Sequence, residues 1–201
     1  MSLNKQKSDV SKTPLSKTQV PASKVFASKV TASKKVAPTL LTPRVLTSEA
    51  FSAFGDVIEV NAGAKKIEIN DGFTQRYHDL AKVDVNDNEG HTLINIFRTT
   101  PLAQPIAIKM MERHPLGSQA FIPMGLNSYL VVVAPAGDFD LNAIEVFIAN
   151  ANQGVNYHKG TWHHYCLALD GESDFLVVDR GGKGDNCEVL ELDGSLVVNM
   201  S

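Results

Sequence analysis

From Val57 to the C-terminus the apolar residues fall in short runs, broken roughly every 8–12 positions by Gly, Asn, Asp or Pro. This spacing constrains the fold more than any other feature of the chain. Runs of that length are too short for helices, and they alternate with turns rather than with helical stretches. Parallel βαβ architecture is therefore excluded and an all-β sandwich or barrel is expected. The strands read at Val57–Val60, Ile67–Ile69, Thr74–Leu80, Thr92–Thr99, Pro105–His114, Phe121–Ile122, Tyr129–Ala134, His163–Leu169, Asp174–Asp179, Cys187–Leu192 and Leu196–Val198. Tyr129–Ala134 is apolar throughout and predicts a strand buried on both faces. A short helix is expected from Thr47 or Ser48 through Phe54, ended by Gly55. A second is expected over Asp140–Ala149, where Leu141, Ile144, Phe147 and Ile148 recur at helical spacing behind an Asp cap.

The first 38 residues are a different kind of polymer. Residues 1–44 carry eight Lys and one Arg against the single acid Asp9, while the rest carries ten basic and 21 acidic residues. Ala-Ser-Lys recurs at 22–24, 27–29 and 32–34. Such a segment buries too little apolar area to offset its ordering entropy, so 1–38 is read as a disordered basic extension and 39–201 as one folded domain. It has no apolar core of the kind a secretory signal needs. No run of eighteen apolar residues is present, so no membrane helix is expected. The two cysteines, Cys166 and Cys187, form neither a CxxC pair nor a disulfide framework, which fits a reducing compartment. Residues 45–201 hold no basic, aromatic patch for nucleic acid.

Two stretches carry chemistry. Glu112-Arg113-His114 ends a strand, so Glu112 and His114 share a face and Arg113 points the other way. Gln119 follows a Pro-Leu-Gly-Ser turn and can return to that face. Gln153–His164 holds three of the six histidines and the only tryptophan. Within it, His163 starts a strand after a Gly-bearing turn, and Trp162 and His164 should face away from it. Glu112, His114, Gln119 and His163 together make an N and O donor set suited to Ni, Mn, Fe or Zn. The alternative is a buried Glu–His hydrogen bond that orders a barrel mouth. Arg98, in a strongly apolar strand, and Arg76 are candidates to hold a carboxylate through the guanidinium fork; a structural ion pair is the alternative. Asp179-Arg180-Gly181-Gly182-Lys183-Gly184 lacks P-loop spacing and is read as a strand connection.

Glu112-x-His114 with Gln119 and Pro123, then His158-Lys-Gly160-Thr-Trp-His163, resemble the two motifs of the cupin barrel. Glu112 stands where the first motif has its first His, and Gln119 where it has its Glu. Over residues 38 to the end the chain is similar to the ureidoglycolate lyases. The matching stretches are Glu112–Pro123, Tyr129–Pro135, Gln153–His164 and Asp174–Gly182. Where that family continues Trp-His-His with Pro-Leu, this chain has Tyr165-Cys166. The resemblance implies a cytoplasmic homodimer with a cupin-type β-barrel, the double-stranded β-helix or jelly roll, and a few short helices. It implies a lyase that splits (S)-ureidoglycolate into glyoxylate and urea in allantoin degradation, with a divalent metal, often nickel. On that reading His114, Gln119, His163 and Glu112 hold the metal and Glu112, if not a ligand, is the base. Tyr157 or His158 protonates or hydrogen-bonds urea, and Arg98 or Arg76 holds the carboxylate. The readings set against it are a small-acid-binding cupin without catalysis and a different metal-dependent cupin enzyme.

Overall fold

A computed structural model describes residues 38–200. All of the expected basic extension but residue 38 lies outside those residues. Chain order begins with β1 (Thr39–Leu41), β2 (Arg44–Val45), helix α1 (Ser48–Phe51), β3 (Gly55–Ile58), β4 (Lys65–Ile69) and β5 (Thr74–His78). It continues through β6 (His91–Thr99), β7 (Ile106–Arg113), β8 (Gln119–Pro123), β9 (Tyr129–Ala134) and β10 (Glu145–Ala149). Last come β11 (Gly154–Tyr157), β12 (Trp162–His163), β13 (Leu167–Ala168), β14 (Ser173–Gly181) and β15 (Glu188–Val198).

One sheet runs β1-β15-β7-β12-β9-β10-β2, with β13 also paired to β9; a second runs β3-β11-β8-β14-β6. The β4–β5 hairpin stands apart. This is the all-β, cupin-type barrel expected from the strand pattern. The two curled sheets enclose a core of Tyr129, Val131, Val133, Phe121, Val155, Phe175 and Val177. Phe51 joins it from α1, whose start is capped by Thr47 accepting from the Ala50 N–H, and Phe54 joins from the turn that follows; the helix expected through Phe54 ends at Phe51. Phe51 meets Phe147 edge-on at 5.7 Å, and Phe54 lies 6.0 Å from the same ring. Strand β9 is buried at all six positions because its even residues, Leu130, Val132 and Ala134, pack into a second cluster on the other face.

The expected helix over Asp140–Ala149 is corrected. Only Leu141–Ala143 makes a 3-10 turn, capped by Asp140, and Glu145–Ala149 is β10, antiparallel to β9. Ile144, Val146, Phe147 and Ile148 are β-branched or aromatic and prefer the pleated sheet, and a short apolar run does not separate the two periods. Two further boundaries move. The strand expected at His163–Leu169 is split into β12 and β13. Those expected at Cys187–Leu192 and Leu196–Val198 are one strand, β15, with a register shift between Glu191 and Leu196. Among the described residues no helix is long and apolar enough to cross a membrane.

Candidate metal and proton-transfer site

The inward faces of the strands turn from apolar to polar at one end of the barrel. Phe175 and Val177 point inward on β14, so Asp179 does too. On β8 Phe121 is inward and Gln119 shares its face; on β11 Val155 is inward and so is Tyr157. On β12, His163 lies opposite Glu112 of β7 and Val133 of β9. His114 follows directly on β7. Alternation on β8, β11 and β14, and the pairing of His163 with Glu112 across β12 and β7, bring Glu112, His114, Gln119, Tyr157, His163 and Asp179 to one mouth; on β7 the face switches at the register shift, since Ile106 and Ile108 pack in the second cluster.

The donor atoms of Glu112, His114 and His163 lie within 4.8 Å of one another. The two imidazole rings are 5.2 Å apart. His163 is 1 % exposed, and Tyr157 lies flat on it at 4.2 Å and 3°. His114 Nδ1 meets the Asn186 carbonyl at 2.5 Å, and His163 Nδ1 the His164 carbonyl at 3.3 Å. A carbonyl only accepts, so each Nδ1 carries the proton and each Nε2 keeps its lone pair. Both Nε2 atoms are buried without a hydrogen-bond partner, and so is Gln119 Oε1. Gln119 shares the cavity wall with Asp179, whose carboxylate accepts from Asn95 Nδ2 at 3.1 Å. Three buried acceptors without donors are costly unless a cation or a ligand's donor meets them. They fit a divalent metal in donor type and number. The two His Nδ1 bonds are the kind of outer contact that aims a ligating imidazole.

Burial, opposed by the charge of His114, holds the Glu112 carboxyl above the usual range. Burial first, and His114 second, lowers His163 to about 3, so the 3.8 Å approach of His163 Nδ1 to Glu112 is not an ion pair at neutral pH. Burial also raises Tyr157 well above its ordinary value, keeping the phenol neutral. Asp179 is raised by burial too, against the opposing effects of His114, Gln119 and Asn95. A cavity of about 230 Å³ opens here, with His114, Gln119, Asp179, Arg180, Asn186 and Cys187 in its wall.

Of the expected site residues, the structure gathers Glu112, His114, Gln119, Tyr157 and His163. Arg113 points outward as expected: its guanidinium lies 4.5 Å over Trp162 and donates to Glu188 and the Gly137 carbonyl. Trp162 packs into the second cluster, and His164 Nδ1 bonds the Tyr165 carbonyl. Three of the expected residues lie elsewhere. Arg98 makes a bidentate pair with Asp174 at 2.7 and 2.8 Å, with Glu172 at 3.5 Å, on a largely exposed strand. It is the structural ion pair, not a free carboxylate fork. Arg76 is exposed on the β4–β5 hairpin opposite Ile67 and does not line the cavity. His158 is 3.2 Å from Asp56 and lines a cleft of about 670 Å³ and, with Ser118, a cavity of about 210 Å³.

The sequence reading missed Asp179, Asn95 and Asn186. Asp179 carried a signal, since alternation from Phe175 and Val177 aims it inward, but its neighbouring glycines drew the stretch into a connection. Asn186 carried none, because it acts through its backbone oxygen.

A profile of the family described as "Ureidoglycolate lyase" matches residues 38–199. Relatives that bear the same name include the following three. One from Burkholderia mallei (strain NCTC 10229) is 56% identical over 147 residues, which is 73% of this chain and 86% of the relative. One from Burkholderia cepacia is 54% identical over 72% of this chain and 82% of its own length. One from Pseudomonas aeruginosa (strain LESB58) is 53% identical over 70% and 83%.

Proposed function

The chain belongs to the ureidoglycolate lyase family, and from that premise we propose that it splits (S)-ureidoglycolate into glyoxylate and urea in purine-nitrogen catabolism. The observation that supports this reading is the cluster of Glu112, His114 and His163, with donor atoms within 4.8 Å of one another and an unpartnered buried Nε2 on each histidine.

Ureidoglycolate is a hemiaminal: one carbon bears a hydroxyl, a carboxylate and a urea nitrogen. Its cleavage moves the hydroxyl proton to a base, forms the carbonyl, breaks the C–N bond and returns a proton to the urea nitrogen. Glu112, with its raised pKa, takes the hydroxyl proton. Tyr157, a neutral phenol held flat against His163, hydrogen-bonds the departing urea. Glu112 delivers the proton it took to the urea nitrogen through water, so the protein ends as it began. Each positioned transfer typically contributes about 10²- to 10⁴-fold. His114, His163 and Gln119 would hold a divalent metal, nickel in this reading, with Glu112 beside it as base rather than fourth donor. Such an ion supplies a Lewis acid toward the substrate's oxygens when bound.

The same reading makes the protein a homodimer. Among the described residues β6 pairs only with β14, and it exposes Ile94 (72%) and Ile96 (54%) on its outer face. A second copy that covers this strand would remove an open apolar edge. The two free cysteines suit the cytoplasm, and neither nucleic acid nor membrane enters as a partner.

Incubation with (S)-ureidoglycolate should release glyoxylate and urea in equal amounts. Binding without release would favour the non-catalytic acid-binding reading. Dialysis against a chelator should abolish turnover and a divalent ion restore it; indifference to both would leave a metal-free acid–base site.

A further inference from the structure

Arg180 is buried, 7 % exposed, yet makes no carboxylate pair among the described residues. Its acceptors are all backbone carbonyls. Nε and Nη2 donate to Asp87 at 3.1 and 2.5 Å, and Nη2 also to Asn88 at 3.3 Å and Lys183 at 2.7 Å. A buried cation satisfied only by neutral oxygens is an expensive way to tie loops together. What those loops have in common is His114.

The Lys183 carbonyl belongs to the turn that leads into Asn186. Asn186 accepts from His114 Nδ1 through its backbone oxygen, and from the Leu116 N–H through its side chain at 2.7 Å. Asp87 lies in the second loop, where its carboxylate binds Lys159 at 2.8 Å. The next residue, Gly160, donates its N–H to the His114 carbonyl at 3.0 Å. The third segment is Gly117, between His114 and Gln119. A Cβ there would sit 2.6 Å from the Arg180 Cβ, so the stem of Arg180 packs directly on that turn. At Gly90 a Cβ would meet the Val85 carbonyl oxygen first, at 1.9 Å, and Arg180 Nε next, at 2.6 Å. Gly117 leaves the room that the stem of this arginine occupies between the loops.

We propose that Arg180 is the positioning residue of the site: it clamps the three segments around His114 and so holds the Asn186 carbonyl against His114 Nδ1, which keeps Nε2 free to bind. It touches neither substrate nor metal in this role. The proposal rests on the reading of His114 as a ligand, but its test does not depend on turnover. The probes are the ¹⁵N shifts of the His114 ring in metal-free protein, which report the tautomer, and Ni²⁺ affinity by calorimetry.

In wild type the shifts should report a single Nδ1–H tautomer. Arg180→Met keeps the apolar stem and removes the donors; it should mix the tautomers and lower Ni²⁺ affinity about 10- to 100-fold, the usual effect of losing a contact that orients a ligand. Arg180→Lys keeps the charge but cannot fork to several carbonyls, so it should fall between the two; if Arg180→Met does not fold, Arg180→Lys decides. Tyr129→Phe, a destabilising change away from Arg180, should leave the tautomer alone. An unchanged tautomer with Ni²⁺ affinity within twofold of wild type in the folded variant overturns the proposal. So does a rise in KM alone with the tautomer intact, which would make Arg180 a substrate contact. Wild-type protein that shows the fixed tautomer but releases no glyoxylate would sink the lyase reading and leave this one standing.

Discussion

Replacing Glu112 by Gln separates catalysis from folding. The substitution keeps the shape and removes the charge. His163, 3.8 Å away, is held neutral by its burial, so it makes no ion pair with the carboxyl at neutral pH. Its pKa is raised, with burial the main cause. For an acid the sign is definite: a raised folded-state pKa contributes stability below the unfolded value of roughly 4.3, and that contribution is lost as pH rises through the folded pKa. At pH 7.5 the ionised group therefore works against the fold, and Gln does not. In metal-free protein Glu112→Gln should melt at or above wild type at pH 7.5, with the difference gone near pH 4. Turnover should fall by about 10²- to 10⁴-fold, the contribution of one positioned base, or roughly 3–5 kcal/mol of barrier. Ni²⁺ affinity should change by less than about tenfold, since His114, His163 and Gln119 remain. The assays are differential scanning calorimetry at two pH values, steady-state release of glyoxylate, and metal titration. Near-normal turnover would refute the base assignment. A parallel collapse of metal affinity would make Glu112 a ligand instead.

Phe147 is fully buried between Phe51 and Phe54, so Phe147→Ala should cost about 3–5 kcal/mol in urea unfolding; a loss under 1 would mean the plug by α1 is not part of the core. Tyr129 donates its buried hydroxyl to the Gln153 carbonyl at 2.8 Å, and Tyr129→Phe should lose about 1–2 kcal/mol with turnover intact; an unchanged midpoint would argue that water replaces it. At Gly55 an added Cβ would lie 2.0 Å from the Asn156 carbonyl oxygen across the β3–β11 pair, so Gly55→Ala should cost about 2–3 kcal/mol or more; a melting temperature matching wild type would contradict that packing.

The parts of this fold that were legible in the sequence are those governed by alternation. Tyr129–Ala134 reads as a doubly buried strand and is one. Glu112 and His114 share a face because they are two apart, and Arg113 leaves it for Trp162. The misread parts were governed by partners. Asp140–Ala149 carries helical spacing and strand-forming residues together, and only pairing with β9 decides between them. Arg98 has the residue type to hold a substrate carboxylate, but Asp174 sits directly across the ladder and takes it. Asn186 contributes a main-chain oxygen, which no side chain announces.

β12 is only two residues long, yet it is the strand that joins β7 to β9 in the larger sheet. One of its two residues is His163. The barrel wall is thus stitched at this point by the same imidazole that faces the cavity, and a seam so short opens easily by local fluctuation. Any cation seated on His163 acts as a rivet through that seam. Loading should slow amide exchange along β7 and β9, far beyond the atoms it touches.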